Sequence, residues 1–142
     1  MADGWHRPLH HTPAGSLDAG TAQTPGMDRR EAISGRRSGS AAIWMGETVV
    51  APSVASADHH HGESETAIFV ASGHPAFVFI DPDSGVERRV ETSPGDYVFV
   101  PPWTPHREEN PSPDEPAVVV IARSTQEAIV VNLADLHGTP AG

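Results

Sequence analysis

From residue 41 onward, short runs rich in β-branched and aromatic residues alternate with clusters of turn residues. The runs are AAIWMGETVVA (41–51), TAIFVAS (66–72), AFVFI (76–80), VERRVE (86–91), DYVFV (96–100), HREEN (106–110), AVVVIAR (117–123) and AIVVNL (128–133). Between them sit SGHP, DPDSG, TSPG, PPWTP and NPSPDEP, and DPDSG has the composition of a hairpin turn. Short strands at this spacing predict an all-β sandwich or barrel. Several runs, AVVVI among them, are apolar on both faces. That suits strands that line a filled barrel and are covered outside by another sheet or subunit. The chain has no internal repeat, so a single barrel is expected.

Residues 1–40 have a different texture, rich in Gly, Ala, Ser, Thr and Pro, with the arginine pairs Arg29–Arg30 and Arg36–Arg37. The absence of apolar periodicity predicts an arm that is extended or ordered only by packing on something else. The domain reading is an N-terminal arm over 1–40, a barrel over 41–133 and a C-terminal tail over 134–142. With 142 residues, 37% of them apolar, the chain suits one domain and one core. Its 13 glycines and 14 prolines favour turns over long helices.

Charge narrows the partners. The net charge is −10, and residues 48–133 carry thirteen acids against four arginines. A barrel of that sign repels phosphate backbones and anionic lipid, so neither nucleic acid nor membrane is an expected partner. A small molecule or another protein chain is. No apolar run approaches the ~20 residues of a membrane span, and the N-terminal stretch lacks the apolar core of a secretory signal, so a cytoplasmic location is expected. The chain has no cysteine, so any metal site must be built from nitrogen and oxygen.

The segment DHHHGESE (58–65) concentrates three histidines and two glutamates. Strand side chains alternate faces, so His59 and His61 project to one side and His60 to the other. Glu65 can approach the same point after a tight turn at Gly62, and His106 stands immediately after the PPWTP corner. Taken alone, three adjacent histidines suit a solvated loop. A second motif changes that balance.

The spacing His59-x-His61-x3-Glu65, followed by Gly95-x5-Pro101-x-Trp103-x2-His106-x3-Asn110, resembles the two motifs of the cupin superfamily. The second matches at every spacing, with Trp103 in place of the usual glycine. The resemblance covers roughly residues 41–133, and the chain looks like the small single-domain cupins of bacteria. It implies a jelly-roll-like β-barrel whose mouth holds one divalent metal ion, with His59, His61, Glu65 and His106 as ligands. One spacing departs from the pattern, because seven residues instead of six separate Glu65 from Gly73, which puts Thr66 in the glutamate's place. Either a one-residue bulge keeps Glu65 on the metal, which is the favoured reading, or the site is three histidines with open positions.

The implied ligand set leaves two adjacent positions for a chelating substrate, or for substrate and O2. It favours Fe(II), with Mn(II), Ni(II) and Zn(II) as alternatives. The expected function is a metal-dependent dioxygenase or related oxidoreductase acting on a small chelating molecule. A non-redox isomerase, epimerase or cyclase and a non-catalytic binding barrel are the alternatives. Glu108 shares the parity of His106 and is the candidate general base, with Asn110 on the same face. If no bulge intervenes, Ala67, Phe69 and Ala71 share Glu65's parity and are expected to wall the pocket, whereas Phe77, Phe79, Tyr97 and Phe99 are expected in the core. Arg123 meets an acidic ligand or makes a surface ion pair, and Trp103 either roofs the cavity or fills its corner. Two-faced apolar strands predict a homodimer, with the arm available as a swapped strand.

Overall fold

A computed structural model describes residues 4–142. The strands are β1 (Met27–Ile33), β2 (Trp44–Val50), β3 (His59–His60), β4 (Thr66–Ser72), β5 (Ala76–Ile80), β6 (Glu87–Glu91), β7 (Tyr97–Val100), β8 (His106–Glu109), β9 (Ala117–Arg123) and β10 (Val131–Asn132). They form two five-stranded antiparallel sheets, ordered β1-β2-β9-β4-β7 and β10-β3-β8-β5-β6. Helix is confined, among the described residues, to a 3-10 turn at Ala14–Ser16 and one helical turn at Gly35–Ser38. No helix among them is long and apolar enough to cross a membrane. The all-β jelly-roll expectation is met. DPDSG closes the β5–β6 hairpin through Gly85 N–H to Asp81 O at 2.8 Å, with Asp83 N–H capped by Asp81 Oδ1 at 2.8 Å.

The core sits between the sheets, where alternation on each strand delivers every second side chain. On β2 the inward positions are Trp44, Gly46, Thr48 and Val50. Ile68 and Val70 of β4 meet Phe77, Val100 and Val119, with Val98 and Ile121 packed against them. A second cluster joins Met27, Val50 and Ala117. Phe77 is thus in the core as expected, but Tyr97 and Phe99 are 80% and 58% exposed on the outer face of β7. Their strand phase sends the intervening Val98 inward instead.

Within the expected arm, residues 27–33 form an edge strand, with a register shift between Glu31 and Ile33. β1 runs antiparallel to β2 from Met27↔Val50 to Ile33↔Met45. Apolar periodicity is silent here because the inward face of MDRREAI is Met27, Arg29 and Glu31, one apolar residue and two charged ones. Glu31 is buried at 6% exposure and accepts hydrogen bonds from Trp44 Nε1 at 2.8 Å and Arg36 Nη2 at 2.6 Å. Its charge is met by partners within the fold, so a polar strand face is tolerated.

Met27, 2% exposed, anchors this strand to the second cluster. Met27→Ala is therefore expected to cost about 3 kcal/mol, read as a lowered urea midpoint with an unchanged slope. A freely moving arm would leave the midpoint where it was.

Candidate metal centre

Ladder pairing builds the centre. His59 of β3 stands directly opposite His106 of β8, and β5 lies on the other side of β8 with Phe79 opposite His106. His61 follows just past the end of β3, before a turn in which Gly62 takes φ +55. A Cβ there would lie 3.0 Å from Ile129 Cγ2, so glycine serves both the turn and the close approach. Trp103 N–H donates to Gly62 O at 2.8 Å and ties this turn to the Pro-rich corner.

The three imidazole rings lie with centroids 4.5 to 5.0 Å apart. Each Nδ1 is bonded to a backbone carbonyl: His59 to Ala57 O at 2.7 Å, His61 to Ile129 O at 2.8 Å, and His106 to Thr104 O at 2.9 Å. A carbonyl oxygen only accepts, so each Nδ1 carries the proton and each Nε2 keeps its lone pair. The three ligand atoms lie within 4.8 Å of one another, and His59, His61 and His106 form a group that can hold a metal ion. The donor set fits the ion: three neutral nitrogen bases, oriented from behind by carbonyls, are what a divalent metal takes.

Burial keeps these rings neutral. Desolvation lowers the pKa of His59, lowers that of His61 to about 4, and lowers that of His106 to about 3, where the neighbouring His59 adds to the effect. Glu108 is shifted the other way: burial pushes its carboxyl up to about 7, against the pull of Arg29. Its Oε1 is buried without a hydrogen-bond partner among the described residues.

The rings line a cavity of about 450 Å³ with Glu108, Thr66, Ile68, Ile121 and Ile129. Glu65 is not among its walls. It is exposed, its N–H bonded to Ser124 Oγ at 2.9 Å, and the adjacent Thr66, 6% exposed, takes the inward place. β4 does carry a bulge, but between Val70 and Ser72, at the far end from the site. The extra residue is absorbed there, so Thr66, Ile68 and Val70 stay in phase facing inward while Glu65 faces out. For the same reason Ala67 and Phe69 do not wall the pocket. Phe69 packs outside against Tyr97, ring centroids 5.0 Å apart.

Other expectations separate cleanly. Asn110 is buried but structural, its Nδ2 donating to Val50 O at 3.1 Å and Glu115 O at 2.8 Å. His60 accepts from Gly62 N–H at 3.0 Å, and its ring lies 5.6 Å from Trp103, which stands outside the cavity lining. Arg123 lines the cavity instead of making a surface ion pair, and Arg29 and Trp44 line it with no signal from the sequence reading. Arg29 has the parity of Met27 and Glu31 on β1, so recognising that strand is the one step that would have found it.

The family model described as Cupin domain matches residues 46–123. Bacillus subtilis oxalate decarboxylase has a similar solved structure, at 24% identity and TM-score 0.66, covering 80% of this chain and 29% of its own. KdgF from Halomonas sp. aligns at 18% identity and TM-score 0.64, covering 84% of this chain and 96% of its own. A recombinant oxalate oxidase in complex with glycolate aligns at 17% identity and TM-score 0.64, covering 81% and 59%. The chain spans about 30% of the length of the oxalate decarboxylases it matches. No curated protein sequence matches it.

The protonation pattern makes a signed prediction for metal-free protein. Histidines near 6.5 when unfolded and near 3 to 4 when folded leave the unfolded state with more protons, so stability falls as pH drops through that window. Glu108, raised from 4.5 to about 7, stabilises below 4.5 and loses that contribution as pH rises towards 7. Urea denaturation between about pH 4.5 and 6.5 is expected to show a positive slope of stability with pH. The slope should flatten in His106→Gln and steepen in Glu108→Gln.

Proposed function

The chain belongs to the Cupin domain family, and on that premise we propose a mononuclear metal-dependent enzyme of the dioxygenase or related oxidoreductase type. It acts on a small organic molecule that chelates the ion. His59, His61 and His106 are the ligands in this reading. The observation that carries it is the convergence of three neutral imidazoles, each oriented by a carbonyl, on one cavity. With Glu65 turned outward, the ligands carry no charge to offset a divalent ion, and positions on it stay open to substrate. Fe(II) is the favoured metal, with Mn(II), Ni(II) and Zn(II) as alternatives. Such an ion supplies Lewis acidity and, if redox-active, electron transfer to O2.

The remaining walls have their own tasks. Ile68, Ile121 and Ile129 exclude water from the reacting face. Glu108, with a carboxyl near pKa 7, gives or takes a proton at neutral pH. That carboxyl also favours the second reading, a non-redox isomerase or cyclase, because enolisation of a chelated carbonyl compound needs an acid–base group of this kind.

A homodimer belongs to the same proposal. Tyr97 and Phe99 project from β7 beside Phe69 and Ala67 of β4, which pair in turn with Val120 and Ala122 of β9. The outer face of that sheet thus carries a contiguous apolar patch, the kind of surface that a second subunit covers.

Protein purified without a histidine tag and loaded with Fe(II), Mn(II), Ni(II) or Zn(II) in turn is expected to retain metal by elemental analysis. His106→Ala should fall to background and lose turnover on the order of 100-fold or more. Equal metal content in His106→Ala would overturn the ligand assignment. Turnover with Zn(II) and without O2 uptake would select the isomerase reading over the oxidoreductase. Separately, sedimentation is expected to find a dimer for the wild type and a monomer for Phe99→Glu.

A further inference from the structure

Two guanidinium groups share the cavity with the three histidines. Arg29 comes from β1 and Arg123 from β9, on either side of β2, where Arg29 stands opposite Thr48 and Arg123 opposite Trp44. We propose that Arg29 and Arg123 form an anion-binding subsite that takes a carboxylate of the substrate and, resting on the metal reading above, that a second oxygen group of the same molecule meets the ion. The substrate class is then a short-chain organic acid.

Charge pairing carries the first step. Among the described residues, Arg30, Arg36, Arg88, Arg89 and Arg107 all pair with carboxylates. Arg37 is bonded to the backbone carbonyls of Glu31 and Ser16, whereas Arg29 and Arg123 form no ion pair and feel Glu108 and Glu31 only at longer range, in a chain with 19 acidic residues for nine arginines. Carboxylates are in excess, so two unpaired interior guanidiniums do not reflect a shortage of them. Burying an unmatched cation is costly unless something else meets its charge. Desolvation lowers the pKa of Arg29, and together with the Arg29 charge it lowers that of Arg123 to about 10, yet both remain cationic at neutral pH.

The second step is that Arg123 is held in place with donors to spare. Its Nε donates to Thr125 O at 3.0 Å and its Nη2 to Gln126 O at 2.8 Å, while the guanidinium lies 3.9 Å from the centroid of the Trp44 ring. Trp44 is itself fixed by Glu31 Oε1 at 2.8 Å. Its indole also closes over Gly46, where a Cβ would stand 2.7 Å from Trp44 Cη2 and 2.3 Å from Arg30 O. Gly46, Trp44 and Arg123 thus form a stack that only a glycine at its base permits. Arg29 spends Nη1 on Thr24 Oγ1 at 2.7 Å, with a long contact from Nη2 to Met27 Sδ at 3.9 Å. Nη1 of Arg123 and Nε of Arg29 have no hydrogen-bond partner among the described residues, and a planar fork of this kind matches a carboxylate. The apolar wall of Ile68, Ile121, Ile129 and Val130 suits the carbon chain between the ligand's polar ends.

Calorimetry on metal-stripped protein at neutral pH, with malonate and succinate against their neutral diamides, tests this. The dicarboxylates are expected to bind and the diamides not. Affinity should fall about tenfold or more in Arg29→Gln and in Arg123→Gln and be recovered only in part in Arg29→Lys, which keeps the charge and loses the fork. Should Arg123→Gln fail to fold, the Arg29→Gln and Arg29→Lys pair still decides the matter. Equal binding of acid and diamide, or an Arg29→Gln affinity like the wild type's, would overturn the subsite. Metal content is read in parallel: a protein that binds succinate through Arg29 but takes up no metal keeps the subsite and sinks the metal reading, and the converse result sinks the subsite alone.

Discussion

Desolvation is the constraint on which the rest of the site depends. One cavity of about 450 Å³ brings together three imidazoles, a carboxyl and two guanidiniums. Burial strips these groups of bulk hydration, so each takes the protonation state that its own surroundings favour. The imidazoles become neutral bases with free Nε2 lone pairs, and the carboxyl becomes protonatable at neutral pH. In bulk water the same side chains would be an ordinary mixture of surface charges. A protected barrel interior turns them into a set of ligand atoms beside an acid–base group.

The geometry that uses this environment is set by the backbone rather than by side-chain packing. His59 and His106 meet because β3 and β8 pair in that register, and every ring is oriented by a main-chain carbonyl, two residues away for His59 and His106 and on the distant segment at Ile129 for His61. Carbonyls of this kind cannot be lost by substitution. Outside the cavity, Arg107 reinforces the pairing from the opposite face of β8, with Nη1 at 2.8 Å from Asp58 Oδ1 beside His59, and Nε at 2.7 Å from Glu109 Oε2. Alternation therefore divides one strand between two jobs: His106 and Glu108 face the cavity, and Arg107 and Glu109 hold the mouth together.

Strand β1, within the first forty residues, is part of this architecture. β1 closes the edge of one sheet, buries Met27 and Glu31, and carries Arg29 into the cavity. Glu31 links that strand to the rest by accepting from Trp44, and Trp44 in turn supports Arg123. Electrostatic and packing roles are thus coupled through a short chain of contacts between β1, β2 and β9. A substitution at Trp44 or Gly46 would act on the cavity charge without touching the histidines.

Period-two alternation and turn chemistry act locally, and residue order carries both. The apolar runs, the DPDSG hairpin, the common face of His59 and His61 and the slot of His106 after the PPWTP corner were all legible from residue order. Tertiary structure alone decided the phase of that alternation where an extra residue intrudes. The seven residues between Glu65 and Gly73 announce a bulge without locating it, and pairing with β9 puts it beyond Val70, which turns Thr66 inward and Glu65 out. Strand β1 stayed hidden because its inward face is mostly charged, and Glu31 there is met by Trp44 and Arg36, residues on neighbouring elements. Tyr97 and Phe99 were assigned to the core on hydrophobicity, but Val98 and Val100 hold the inward phase of β7. Alternation is a property of one strand, whereas its phase is set by the strands it pairs with, and those partners are distant in sequence.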